Sequence, residues 1–148
     1  MEAFLVSTAL VTAAEMGDKT QLLSFVLAAT LRKPAAILLG ILVATLANHA
    51  LAGGAGYLLS GVMSRDAMAW IAGIAFLAFG AWALKPDSLS GKPTILRAGA
   101  FATACVAFFL AEMADKTQFA TIALAARYHA LVAVVLGTTA GMMLANLP

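Results

Sequence analysis

Five stretches of about twenty or more largely apolar residues, parted by short polar breaks, constrain this chain more than anything else in it. A bilayer core about 30 Å thick takes roughly 20 residues of helix at about 1.5 Å each. The stretches run from about Ala3 to Leu31, Pro34 to Gly61, Ala67 to Leu84, Ala98 to Ala126 and His129 to Pro148. Only 11% of the 148 residues are charged and 63% are hydrophobic, against about 25% charged in a soluble domain, so a water-soluble globule is excluded. The expected fold is all-α, a polytopic membrane protein of about five transmembrane helices. The net charge of +2 is small and dispersed, which argues against a nucleic-acid partner. The single Cys105 rules out an intrachain disulfide and any multi-cysteine metal cage.

The first stretch begins with Glu2 instead of a basic segment and outruns a signal's short apolar core, so it reads as a retained helix. Basic residues in short loops set orientation. Arg32, Lys33, Lys85, Lys92 and Arg97 lie on one side, Arg65 and Arg127 on the other. That bias predicts an outside N-terminus and a cytoplasmic 85–97 linker; the expected location is a bacterial inner membrane. Tyr57, Trp70, Trp82 and Tyr128 sit near stretch ends, where interfacial aromatics belong.

The chain repeats itself. Residues 15–29 (EMGDKTQLLSFVLAA) and 112–126 (EMADKTQFATIALAA) agree at nine of fifteen positions with a constant offset of 97. Apolar helices resemble one another by chance, but shared Glu, Asp, Lys, Thr and Gln at fixed spacing do not. Gly40 also matches Gly137, and Leu-Ala-Asn at 46–48 recurs at 144–146 with a one-residue slip. Three predicted crossings separate the copies, and an odd number inverts the second. The expected organisation is a first repeat over 1–84, the linker 85–97, and a second, incomplete repeat over 98–148 that lacks a third helix. Inverted repeats of this kind are common in secondary transporters, which bind substrate near the midplane where the repeats meet.

Glu15, Asp18, Glu112 and Asp115 fall mid-span, as do Lys19 and Lys116. In one continuous helix, each Glu and Asp three apart would share a face and each Lys would lie four residues from its Glu, within ion-pair reach. Thr20, Gln21, Thr117 and Gln118 add polar oxygens one turn on. Six charged groups in lipid would cost on the order of 15–20 kcal/mol at ~2.5–3.5 kcal/mol each, so pairing, protonation, water or a bound ion must relieve them. Four carboxylates and two ammoniums sum to −2, which one divalent cation or two protons would neutralise. Carboxylate, hydroxyl and amide oxygens suit hard cations such as Ca²⁺, Mn²⁺ or Mg²⁺.

Glu15-Met16-Gly17-Asp18-Lys19-Thr20 and Glu112-Met113-Ala114-Asp115-Lys116-Thr117 resemble the paired E-x-G-D-[K/R]-[T/S] signatures of the transmembrane-protein-165 family. The resemblance covers nearly the whole chain. It implies two inverted three-helix repeats and exchange of Ca²⁺ or Mn²⁺ for protons, with Glu15, Asp18, Glu112 and Asp115 binding the cation and Thr20 and Thr117 close by. The metal would be transported substrate; no resident cofactor is expected. Ala114 departs from the pattern's glycine, and the second copy stops short of a sixth helix: either the chain is truncated, or a partner or a homo-oligomer supplies what is absent.

Blander readings stand beside these. The Glu–Lys pairs of each motif are alternatively self-paired structural locks, and the lysines plain counter-charges. Asn48 and His49 are helix–helix hydrogen-bonding groups, or His49 is a proton relay or ligand. Gly53, Gly54, Gly56, Gly137 and Gly141 permit close helix packing. For the whole chain, metal export from the cytoplasm competes with a non-transporting assembly subunit and with an intramembrane aspartyl protease built on Asp18 and Asp115.

Overall fold

In a computed structural model, the described residues are 1–85, 93–113 and 115–147. Most of the 85–97 linker, Ala114 and Pro148, on which parts of the sequence reading fall, lie outside them. Seven helices and no strand occur among the described residues: α1 (Glu2–Glu15), α2 (Lys19–Leu31), α3 (Pro34–Ser60), α4 (Arg65–Ala83), α5 (Ala100–Glu112), α6 (Lys116–Tyr128) and α7 (Leu131–Ala145). The all-helical class is as the apolar stretches predicted. By itself α3 is long and apolar enough to cross a membrane, while α2, α5 and α7 are shorter apolar helices.

Two expected helices are broken. The stretch 3–31 divides into α1 and α2, and 98–126 into α5 and α6, each time inside the acidic motif. At Met16 the backbone leaves the helical region (ψ 118°), Gly17 takes φ +81°, and Asp18 is extended at the N-cap of α2. A positive φ favours glycine, and aspartate is a preferred N-cap, so Gly17-Asp18 ends one helix and starts the next. The reading of each Glu–Asp pair on one continuous helix face is therefore corrected: α1 and α2, like α5 and α6, are separate half-helices.

The second copy repeats this backbone at the same offset. Met113 has φ −62° and ψ 123° where Met16 has −62° and 118°; Asp115 has −80° and 165° where Asp18 has −84° and 171°. Both α2 and α6 end on a left-handed non-glycine residue, Arg32 at φ 52° and His129 at φ 50°. Their backbone N–H groups donate to Ala28 and Ala125, again 97 apart.

Packing is exchanged between the copies. A Cβ on Gly40 of α3 would lie 2.6 Å from the Phe101 carbonyl and 2.8 Å from Ala104 Cβ of α5; one on Gly137 of α7 would lie 2.6 Å from the Phe4 carbonyl and 2.9 Å from Ser7 Cβ of α1. Every position in one contact maps onto the other by the offset, with the copies trading roles. A twofold relation between the copies produces this pattern. Small residues at such crossings let backbones approach closely.

The long helix α3 runs through the centre. Its buried positions, Ile37, Gly40, Ile41, Ala44, Thr45, Asn48, His49, Ala52, Gly53 and Gly56, recur at three- and four-residue steps, one helical face. That face packs against α5, α6 and α7. Ile37, Ile41 and Ala44 join Leu23 and Leu27 of α2 and Ala100, Ala104 and Phe108 of α5 in an apolar cluster. Polar Thr45, Asn48 and His49 occupy the middle of the same stripe.

Candidate functional site

The two breaks meet. Glu15 ends α1 and Glu112 ends α5, and both side chains are almost wholly buried, at 0% and 1% exposure. Asp18 and Asp115 begin α2 and α6 and are also buried. Half-helix ends suit these charges: free N–H groups at a helix N-terminus favour the aspartates, while free carbonyls at the ends of α1 and α5 favour an incoming cation. At each break the aspartate N–H donates to the glutamate carbonyl, 3.1 Å from Asp18 to Glu15 and 3.0 Å from Asp115 to Glu112.

The lysines cross over. Lys116 Nζ donates to Asp18 Oδ1 at 2.6 Å, and Lys19 Nζ donates to Asp115 Oδ1. Each ammonium thus serves the other motif's aspartate. The reading of Glu15–Lys19 and Glu112–Lys116 as self-paired locks is corrected, because it assumed the unbroken helix that places i and i+4 together.

Each glutamate is held by a threonine hydroxyl. Thr20 Oγ1 donates to Glu15 Oε2 at 2.6 Å, and Thr45 Oγ1 donates to Glu112 Oε1 at 2.8 Å. The remaining oxygens, Glu15 Oε1 and Glu112 Oε2, are buried with no hydrogen-bond partner among the described residues, as is Asp115 Oδ2. Carboxylate oxygens of Glu15, Asp18 and Asp115, one from each residue, lie within 4.8 Å of one another. Glu112 ends α5 three residues before Asp115 opens the way into α6. An unpartnered buried carboxylate oxygen such as Glu15 Oε1 is costly, and the convergent carboxylates of Glu15, Asp18 and Asp115 form an oxygen donor set of the kind that holds a hard divalent cation.

The other predicted residues divide. Gln118 Nε2 reaches Asn48 Oδ1 at 3.5 Å, and Asn48 Nδ2 donates to the Phe109 carbonyl at 3.0 Å, tying α3 to the second break. Gln21 accepts from Gly17 N–H at 3.0 Å and donates to the Ala145 carbonyl at 2.9 Å, tying the first break to α7. Thr117, the counterpart of Thr20, is fully buried and its hydroxyl has no partner among the described residues. His49 turns toward α7, with Nδ1 3.5 Å from Thr139 Oγ1, and lies outside the carboxylate group. Sequence reasoning missed Thr45. Its signal was position: one turn before Asn48 and His49, on the face that α3 buries.

Comparison with known proteins agrees with this chemistry. A family model described as "Divalent cation/proton antiporter GDT1" matches residues 3–90 and 100–148, both motifs included. A protein of Vibrio cholerae serotype O1 (strain ATCC 39541 / Classical Ogawa 395 / O395), described as a "Putative manganese exporter", is 47% identical over 149 residues. The match spans all of this chain and 74% of that protein. No solved structure matches.

Proposed function

The chain belongs to the divalent cation/proton antiporter family, and from that premise we propose that it exports Mn²⁺ from the cytoplasm in exchange for protons at the meeting of its two breaks. Membership makes it an integral membrane protein and a cation transporter, not an enzyme. The observation that carries the finer reading is the convergence of buried Glu15, Asp18 and Asp115 oxygens within 4.8 Å. Glu112 completes the set of acids, and Thr20 and Thr45 orient the two glutamates.

Proton coupling follows from charge. Carboxylates must be ionised to coordinate a metal, and the four acids and two lysines leave a surplus of two negative charges. Two protons or one divalent cation discharge the same surplus, so each excludes the other. Mn²⁺ is favoured over Ca²⁺ by the function named for the Vibrio relative, and both accept oxygen ligands. The excess of basic residues in the first and third loops supports a cytoplasmic 85–97 linker and an outside N-terminus.

The test is Mn²⁺ flux into sealed vesicles containing the purified chain, driven by an imposed pH gradient. Flux is expected to follow the gradient and to vanish in Asp18→Asn and Asp115→Asn. Flux that ignores the gradient refutes proton exchange, and flux unchanged in both variants refutes this site.

A further inference from the structure

We propose that Lys19 and Lys116 are tethered cations that occupy the metal's aspartates in the empty carrier, each latching one motif to the other, and that a divalent cation binds by displacing them. The inference rests on the metal site proposed above and adds what fills that site between cargoes. Both lysine-bound aspartates, Asp18 and Asp115, belong to the three carboxylates that converge within 4.8 Å. A divalent cation among those oxygens would stand within a few ångströms of both ammoniums, and like charges repel strongly at that range where water is scarce. Metal and lysines therefore compete for the same carboxylates.

The lysines are also placed to let go. Each is the first residue of its helix, α2 or α6, at the helix N-terminus, where the partial charge is positive. A cation there is disfavoured by the helix dipole, which instead favours the aspartate one residue earlier. The ion pairs thus hold the ammoniums against a local repulsion. They are not equivalent: the Lys116 side chain is 3% exposed and that of Lys19 is 23% exposed. Lys19 has an open side toward which to swing, so it leaves first. Since each pair joins residues 96 or 98 positions apart, its loss removes one tie between the two copies, which stay packed through α1 with α7 and α3 with α5.

The experiment uses the purified full chain in detergent, with Mn²⁺ as probe. Mn²⁺ binding is followed by paramagnetic resonance, and lysine acylation by an amine-reactive ester is read by mass spectrometry, with exposed Lys33 and Lys85 as internal standards. Saturating Mn²⁺ is expected to raise Lys19 acylation by about fivefold or more, a modest allosteric coupling, with the standards unchanged. With the competing ammonium removed, Lys19→Gln is expected to bind Mn²⁺ about fivefold or more tightly. Bound Mn²⁺ with unchanged or reduced Lys19 acylation overturns the proposal, as does a folded Lys19→Gln protein with equal or weaker affinity. If that variant does not fold, wild-type labelling decides alone. Absence of any Mn²⁺ binding overturns the carrier reading itself, and this inference with it.

Discussion

The half-helices α2 and α6 leave their breaks with the same Lys-Thr-Gln start and nearly the same backbone, yet they live in different surroundings. Eight of the thirteen residues of α6 are buried, including Lys116, Thr117 and Leu124, between α3 and α4. In α2 only Thr20, Leu23, Ser24 and Leu27 are buried, and Leu22 and Phe25 are about half exposed. The helix α4 covers α6, with Trp82 and Phe119 ring centroids 5.8 Å apart, and no described helix covers α2 in the corresponding way. A shared motif therefore builds a shared turn and a reciprocal ion-pair exchange. The neighbours then decide how deeply each copy is held, which glutamate joins the convergent aspartates, and which hydroxyl reaches a carboxylate.

The largest test of that difference compares the glutamates. Glu15 belongs to the convergent triad and Glu112 does not, so Glu15→Gln should weaken Mn²⁺ binding on the order of 100-fold and Glu112→Gln about 10-fold, by analogy with losses in and around metal sites. Titration of each purified variant checks this. Equal losses would mean that both glutamates ligate and that the asymmetry is immaterial.

The next effect concerns how α6 is clasped. A Cβ on Gly56 would fall 2.2 Å from the Ile122 carbonyl of α6, whereas one on Gly54 would meet open space. Gly56→Ala should cost about 1–3 kcal/mol as overpacking, and Gly54→Ala about 0.5 kcal/mol or less. Thermal unfolding in detergent measures both, and similar midpoints would show that α3 and α6 do not touch as described.

The smallest effect separates the matched threonines. Thr20→Val removes the hydroxyl bonded to Glu15 and should cost about 1–2 kcal/mol, because a buried acceptor loses its donor. Thr117→Val removes a buried hydroxyl with no partner and should be neutral or slightly stabilising. Equal unfolding midpoints for the two variants would erase the distinction between the copies.

Much of this was legible beforehand. Membrane-length apolar stretches, the repeat and the intramembrane charges of Glu15, Asp18, Glu112 and Asp115 follow from residue type and spacing, since lipid tolerates few other arrangements. The helix break was legible too, in Gly17-Asp18, a residue suited to positive φ before a preferred N-cap; reading the span as one helix hid it. Thr45 was harder, because a lone threonine in an apolar helix has many uses and its target lies 67 positions away.

From sequence alone came the solvent, the duplication and the acid chemistry, because composition and short-range spacing encode them locally. Tertiary structure alone decided that Lys19 serves Asp115 and Lys116 serves Asp18, and that Glu15, not Glu112, joins the two aspartates. Two nearly identical motifs carry no record of which will be buried under α4 and which left open. Partners some 96 residues distant are chosen only when the helices between them pack.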